Sequence, residues 1–179
     1  MNRPPLMALD EALAALLAQA AAPLAQEEVS TFDADGRVLA QDIVSALQVP
    51  AFDNSAMDGY ALRCADVAAA GTALPVSQRI AAGSVGAPLQ SGTAARIFTG
   101  APVPPGADAV VMQEDCVAQD AGTVRVQAVP RAGQNIRRAG EDIAQGAVVL
   151  RAGTRLTPAA LGLAASIGLA RLPVARRPR

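Results

Sequence analysis

ARIFTGAPVPPGADAVVMQED, residues 95–115, carries two short runs of β-forming residues separated by a connection dense in Pro and Gly. Neither run is long enough for an ordinary helix. Pro105-Gly106 has the residue pair of a type II turn, since Pro pre-sets φ at the first central position and Gly tolerates positive φ at the second. The same texture extends on both sides, in GYALR (59–63), TVRVQAV (123–129) and QNIRRAG (134–140). Short strands punctuated by turn signals predict a mainly β module over residues 50–140.

The flanks read differently. Leu9, Leu13, Leu16 and Leu17 recur at i, i+4, i+7 and i+8, which predicts an amphipathic helix from Leu9 to Ala22, ended by Pro23. Arg3 followed by the apolar ALAALLAQAAAPLAQ also has the look of a secretory leader, but Asp10, Glu11 and Gln19 interrupt its apolar region, and the helix is favoured. After a turn at Asp35-Gly36, RVLAQDIVSALQVP (37–50) alternates as a strand would. AVVLRAGTRL (147–156) reads as a strand pair. TPAALGLAASIGLA (157–170) reads as a helix with Thr157 as N-cap, Pro158 at its first position and Gly168 as its stop. Helical ends around a β-rich middle predict an α+β chain, mainly β with flanking helices, in which residues 1–49 and 141–179 fold together and 50–140 form an inserted domain.

Composition removes several chemistries. The chain has no His, and all fifteen of its basic residues are Arg. Histidine general bases, histidine metal ligands, P-loop lysines and Schiff-base lysines are therefore excluded. Cys64 and Cys116 lack a Cys-x-x-Cys spacing and are read as small buried hydrophobes in a reducing, cytoplasmic compartment. A net charge of -1 gives no nucleic-acid footprint, and no apolar run is long enough for a membrane span. The Arg-rich tail from Arg171 to Arg179 is read as solvated surface or linker.

Three stretches could carry a site. FDNSAMDGYALR (52–63) gathers Asp53, Asn54, Ser55, Asp58 and Tyr60. Asp58-Gly59 is a strong hairpin signal, while a carboxylate beside a glycine also suits metal binding or proton transfer, and the residues alone leave both open. In the second stretch Thr99 and Gly100 offer a hydroxyl and backbone N–H groups to an anion or polar ring. In GQNIRRAGEDI (133–143), Arg137 and Arg138 point to opposite faces of an extended strand. Either Arg could bind an oxyanion, or pair with Glu141 or Asp142.

Taken in order, PAFDNSAMDGYALR, RIFTGAPVPPGADAVVMQED, GQNIRRAGEDI and GTRLTPAALGLAASIGLA resemble the amino-terminal part of the molybdenum insertase, or MoeA, family over nearly the whole chain. The resemblance implies transfer of molybdenum from molybdate to adenylylated molybdopterin, with magnesium and release of AMP. It implies an elongated linking domain interrupted by a mainly β domain, and a homodimer whose cleft lies between this β domain and later domains of the partner subunit. Asp58 and Thr99 are implied as catalytic. Ser55, Gly100 and Arg137 are implied as substrate-binding, and Asp58 and Asp142 are candidate metal ligands. Family members continue past the equivalent of Arg179 into a pterin-binding domain, so the 179 residues alone are expected to be inactive. The alternative is a non-catalytic binding or scaffold module that keeps the fold.

Overall fold

The computed structural model describes residues 7–19, 25–119 and 122–177. In chain order its elements are α1 (Leu9–Gln19), β1 (Gln26–Ser30), β2 (Ile43–Val44), β3 (Asn54–Ser55), β4 (Gly59–Leu62), β5 (Thr72–Ile80), β6 (Ala94–Ile97), β7 (Ala109–Met112), β8 (Cys116–Gln119), β9 (Thr123–Val126), β10 (Ile136–Arg137), β11 (Val148–Leu150), α2 (Pro158–Ser166) and β12 (Arg171–Ala175). The chain is mainly β with two helices near its ends, as the sequence predicts. Contacts divide it into two compact units, Met1–Ile43 with Val148–Arg179, and Val44–Ala147.

In the unit made from the chain ends, β1 pairs antiparallel with β12, and Leu39, Leu156, Ala164, Leu172 and Val174 are buried. The α2 signals act as read: the Thr157 side chain accepts from the Ala160 N–H, Pro158 opens the helix, and Gly168 follows it at φ +85°. α1 begins at Leu9 as expected and buries none of its residues; its predicted end at Ala22 and Pro23 lies outside the described residues.

Three expectations about the flanking segments are corrected. Residues 37–50 are not one strand: Val38 and Leu39 make isolated bridges, to Arg155 and Val174, and only Ile43–Val44 is a strand. Two polar side chains break the run. The Asp42 carboxylate accepts from the Ala152 N–H, and the Ser45 hydroxyl donates to the Leu47 carbonyl, which favours a turn over a ladder. In residues 147–156 only Val148–Leu150 is a strand, and the second predicted strand shrinks to the Arg155 bridge. The tail is not all solvated surface: Arg171–Ala175 is β12, with Leu172 and Val174 fully buried, because its apolar residues alternate in period two between the arginines.

The second unit is built on a six-stranded sheet in the order β7-β4-β6-β5-β9-β8. All neighbours are antiparallel except β5 and β6, which run parallel. One face carries Leu62, Leu74, Ala94, Ala109, Val111, Val124 and Val126, and the other carries Ala61, Ile80, Ala95, Ile97 and Val110. Both faces are therefore apolar, which explains why these strands read as short continuous runs more than as clean alternations. The Pro105-Gly106 turn closes as expected, with the Ala107 N–H donating to the Pro104 carbonyl and Gly106 at φ +94°. Cys64 and Cys116 are half-buried against the first face, not fully buried, and burial pushes each thiol up to about 11. No helix among the described residues is long and apolar enough to cross a membrane.

Candidate functional site

The segment Asp53–Ala56 is the centre of the site, because the other two marked stretches bond to it from either side. From one side come the residues after Thr99: the Gly100 N–H donates to the Ser55 carbonyl (2.8 Å), the Ser55 N–H to the Ala101 carbonyl (2.9 Å) and the Val103 N–H to the Asp53 carbonyl (3.0 Å). From the other comes β10, with Ile136 opposite Ser55 and Arg137 opposite Asn54. Three stretches separated by some forty residues each thus form one layer through backbone hydrogen bonds that any side chains could make. That is why no spacing in the sequence announces it.

Asp58 sits just past this layer, where the chain enters β4. Its Oδ1 accepts from the Thr99 N–H at 2.8 Å and from the Thr99 hydroxyl at 2.7 Å. These two bonds, the backbone one first, hold the Asp58 carboxyl below its ordinary range, and the positive field of Arg96 adds to the effect against a partial cost of burial. Gly59 must follow. A Cβ at that position would lie 2.0 Å from the Val111 carbonyl oxygen, so only glycine lets β4 approach β7 this closely.

The chemistry of the pair follows from its proton inventory. The Thr99 hydroxyl has spent its proton on Asp58, so it offers a ligand only lone pairs. Asp58 is ionised, and its Oδ2 accepts from no protein donor among the described residues. The pair therefore presents acceptors and negative charge, suited to a hydroxyl, a ring N–H, a water or a cation, and unsuited to an oxyanion.

The remaining marked residues fall into place differently. Ser55 is 1% exposed, and its hydroxyl donates to the Met57 carbonyl at 2.6 Å, so its side chain shapes the loop. Gly100 is at φ +80°, and its N–H is taken by Ser55. The N–H groups that the sequence offered to an anion at Thr99 and Gly100 are thus both used within the protein, a correction that only tertiary pairing could supply. Arg137 pairs with Asp142 and Glu141, and Arg138 pairs with Asp53 and donates its backbone N–H to the Glu141 carboxylate. Asp53 is held below its ordinary range, chiefly by the Ala139 N–H.

These pairings bear on the candidate metal ligands. Asp142 is committed to Arg137, and Asp58 offers one free oxygen. Among the described residues no group of three or more His, Cys, Asp or Glu is placed to hold a metal ion. Magnesium takes one or two carboxylates with waters and phosphate oxygens; these residues do not build such a site by themselves.

Sequence reading missed Arg79, Arg96 and Phe98 beside the site. The Arg96 guanidinium donates to the Gly59 and Ile97 carbonyls and to the Gln113 side chain, and it lies 4.4 Å from the Phe98 ring centroid. Arg79 lies 4.5 Å from the same centroid. The available signal was the alternation of Arg96 and Phe98 with Ala95 and Ile97, which turns both side chains away from the face that carries Ala95 and Ile97.

The family model for the MoeA N-terminal region (domain I and II) matches residues 7–168. The chain belongs to the MoeA family. It is 41% identical over 172 residues to a molybdopterin molybdenumtransferase of Haemophilus influenzae, covering 96% of this chain and 43% of that protein. It is 51% identical over 155 residues to molybdopterin molybdenumtransferase 2 of Mycobacterium tuberculosis, covering 82% of this chain and 37% of the relative. Its fold matches crystal structures of the MoeA molybdopterin biosynthesis protein of Pyrococcus horikoshii. One has a TM-score of 0.86 at 32% identity, covering 97% of this chain and 45% of that one, and another has a TM-score of 0.81 at 38% identity, covering 86% and 42%. The chain thus spans less than half the length of these MoeA relatives.

Proposed function

We propose that these residues supply half of a composite site for molybdenum insertion, in which molybdenum passes from molybdate to adenylylated molybdopterin and AMP is released. The observation that carries the proposal is the Asp58–Thr99 pair: an ionised carboxylate held by two donors of one residue, on a loop layer that three separate stretches converge to build. Such a carboxylate is placed before any ligand arrives, so it can orient a hydroxyl, a ring N–H or a water at no further cost in ordering. Asp58 is the charged acceptor in this reading, and Thr99 fixes its position. Ser55, Gly100 and Arg137 hold the loops in which the pair sits. Arg137 is held by Asp142 in the free protein and binds substrate when a substrate oxyanion takes that carboxylate's place on its guanidinium.

Family membership supports the remaining parts of the proposal. The Val44–Ala147 unit plays the inserted β domain and the other unit the linking domain. The protein acts as a cytoplasmic homodimer, with the pterin held by later domains of the partner subunit and magnesium bound largely through substrate oxygens. The 179 residues alone release no AMP.

The test is genetic. The gene carrying Asp58→Asn is placed in a bacterial strain that lacks its own molybdenumtransferase, and a molybdoenzyme activity such as nitrate reduction is measured. Wild type restores the activity and Asp58→Asn, at equal protein level, does not. Full restoration by the variant removes Asp58 from the reaction.

A further inference from the structure

The acceptor character of the Asp58–Thr99 pair raises a question: a substrate bearing phosphates must leave its negative charge somewhere else. Beside the pair, β5 and β6 run parallel with Arg79 directly opposite Arg96. Like charges opposite one another on neighbouring strands repel, so the arrangement needs a reason. No carboxylate pairs with either guanidinium among the described residues. Both stack on one ring, Phe98, at 4.5 and 4.4 Å from its centroid, and Arg96 also lies 5.3 Å from the Tyr60 centroid. Stacking on aromatic carbon holds a guanidinium by its face and leaves its edge donors for another partner. Phe98 immediately precedes Thr99 in the chain, so the arginines and the acceptor pair share one end of the sheet.

Counting donors sharpens the point. Arg96 uses its Nη1 on the Gly59 and Ile97 carbonyls and one Nη2–H on Gln113, leaving Nε–H and the second Nη2–H without a protein acceptor among the described residues. The Arg79 side chain makes no hydrogen bond to protein among the described residues, and the residue is exposed. Arg96 is thus an anchored cation and Arg79 a movable one, on neighbouring strands whose backbones lie about 5 Å apart. Two guanidiniums on neighbouring strands, each with donors left over, suit two linked tetrahedral groups better than a single one.

We propose that Arg79 and Arg96 form a subsite for a diphosphate-type oxyanion, the phosphoanhydride that joins AMP to molybdopterin. The assignment rests on the insertase reading for the identity of the substrate, and the division of labour is complementary. The arginines take the phosphates, and Asp58 with Thr99 takes donor groups next to them. Arg96 also supports the backbone at Gly59 and Ile97, so Arg79, which has no such role, is the residue to change.

The experiment measures inorganic pyrophosphate binding to the 179-residue protein by calorimetry at low salt, with sodium molybdate as a second titrant. The variants are Arg79→Gln, Arg79→Lys and, as a charge-matched control outside β5, Arg131→Gln. Wild type is expected to bind pyrophosphate more tightly than molybdate. Arg79→Gln should weaken pyrophosphate about tenfold, Arg79→Lys less, and Arg131→Gln by less than about twofold. No pyrophosphate binding by wild type, equal binding by Arg79→Gln, or tighter binding of molybdate than of pyrophosphate each overturns the subsite. The insertase reading is tested separately by complementation: if the wild-type gene fails to restore molybdoenzyme activity while Arg79→Gln loses pyrophosphate, the insertase reading falls and the oxyanion subsite stands.

Discussion

Thr99 donates twice to a single oxygen of Asp58, through its backbone N–H at 2.8 Å and its hydroxyl at 2.7 Å. The two residues lie forty-one positions apart, and the contact joins the loop before β4 to the loop after β6. It leaves the second Asp58 oxygen available, and it removes the Thr99 proton from any ligand's reach.

Thr99→Val separates the two donors. The backbone bond to Asp58 survives and the hydroxyl bond is lost, so molybdenum transfer should fall on the order of tenfold, the size of one charge-assisted hydrogen bond. Thr99→Ser should recover most of it. The check is molybdoenzyme activity per unit of expressed protein for the two variants; equal activity in Thr99→Val and wild type would free Asp58 from its dependence on the hydroxyl.

The pH dependence has a definite sign. The folded Asp58 carboxyl titrates below its ordinary value, so its bonds to Thr99 are fully present above the ordinary Asp range, around pH 4, and are lost as pH falls through the lower folded value. Carboxyl-carbon NMR of the labelled protein should show an Asp58 midpoint below about 3.9, rising in Thr99→Val. Activity between pH 5 and 8 should show no step from Asp58. A midpoint above the ordinary value would mean that the Thr99 bonds do not form in solution.

Gly59 is the structural limit on the site. A Cβ there would meet the Val111 carbonyl at 2.0 Å and its carbon at 2.9 Å, and both are backbone, so β4 and β7 must separate. Gly59→Ala should destabilise the protein by about 3 kcal/mol or more, the range for steric overpacking with loss of strand bonds. Urea unfolding measures it. Gly92→Ala meets nothing within 4 Å and has φ +73°, so it is strained only by its backbone and should cost about 1 kcal/mol.

What could be read from the sequence follows the range of the interactions involved. The α2 helix was legible to its cap and stop, because Thr157, Pro158 and Gly168 act within a few residues of themselves. The turn at Pro105-Gly106 was legible for the same reason. β5 was not, since Pro75 argues against a strand and its pairing with β6 and β9 is settled by residues far along the chain. β12 was hidden by its arginines, although Leu172 and Val174 alternate inside them. At the site, the resemblance singled out Asp58 and Thr99, but the direct bond between them, the capture of the Gly100 N–H by Ser55, and the apposition of Arg79 and Arg96 all depend on register between distant strands. No local pattern encodes register.

The central claim is that the Asp58 negative charge, held in place by Thr99, is needed for molybdenum insertion. The most direct measurement is AMP release from adenylylated molybdopterin in the presence of molybdate and magnesium, by protein expressed from the whole gene, for wild type and for the nearly isosteric Asp58→Asn. With urea midpoints matched, to show that both are folded, the variant should release AMP at least about a hundredfold more slowly, the loss typical of a preorganised electrostatic group. AMP release by folded Asp58→Asn at the wild-type rate would contradict the claim.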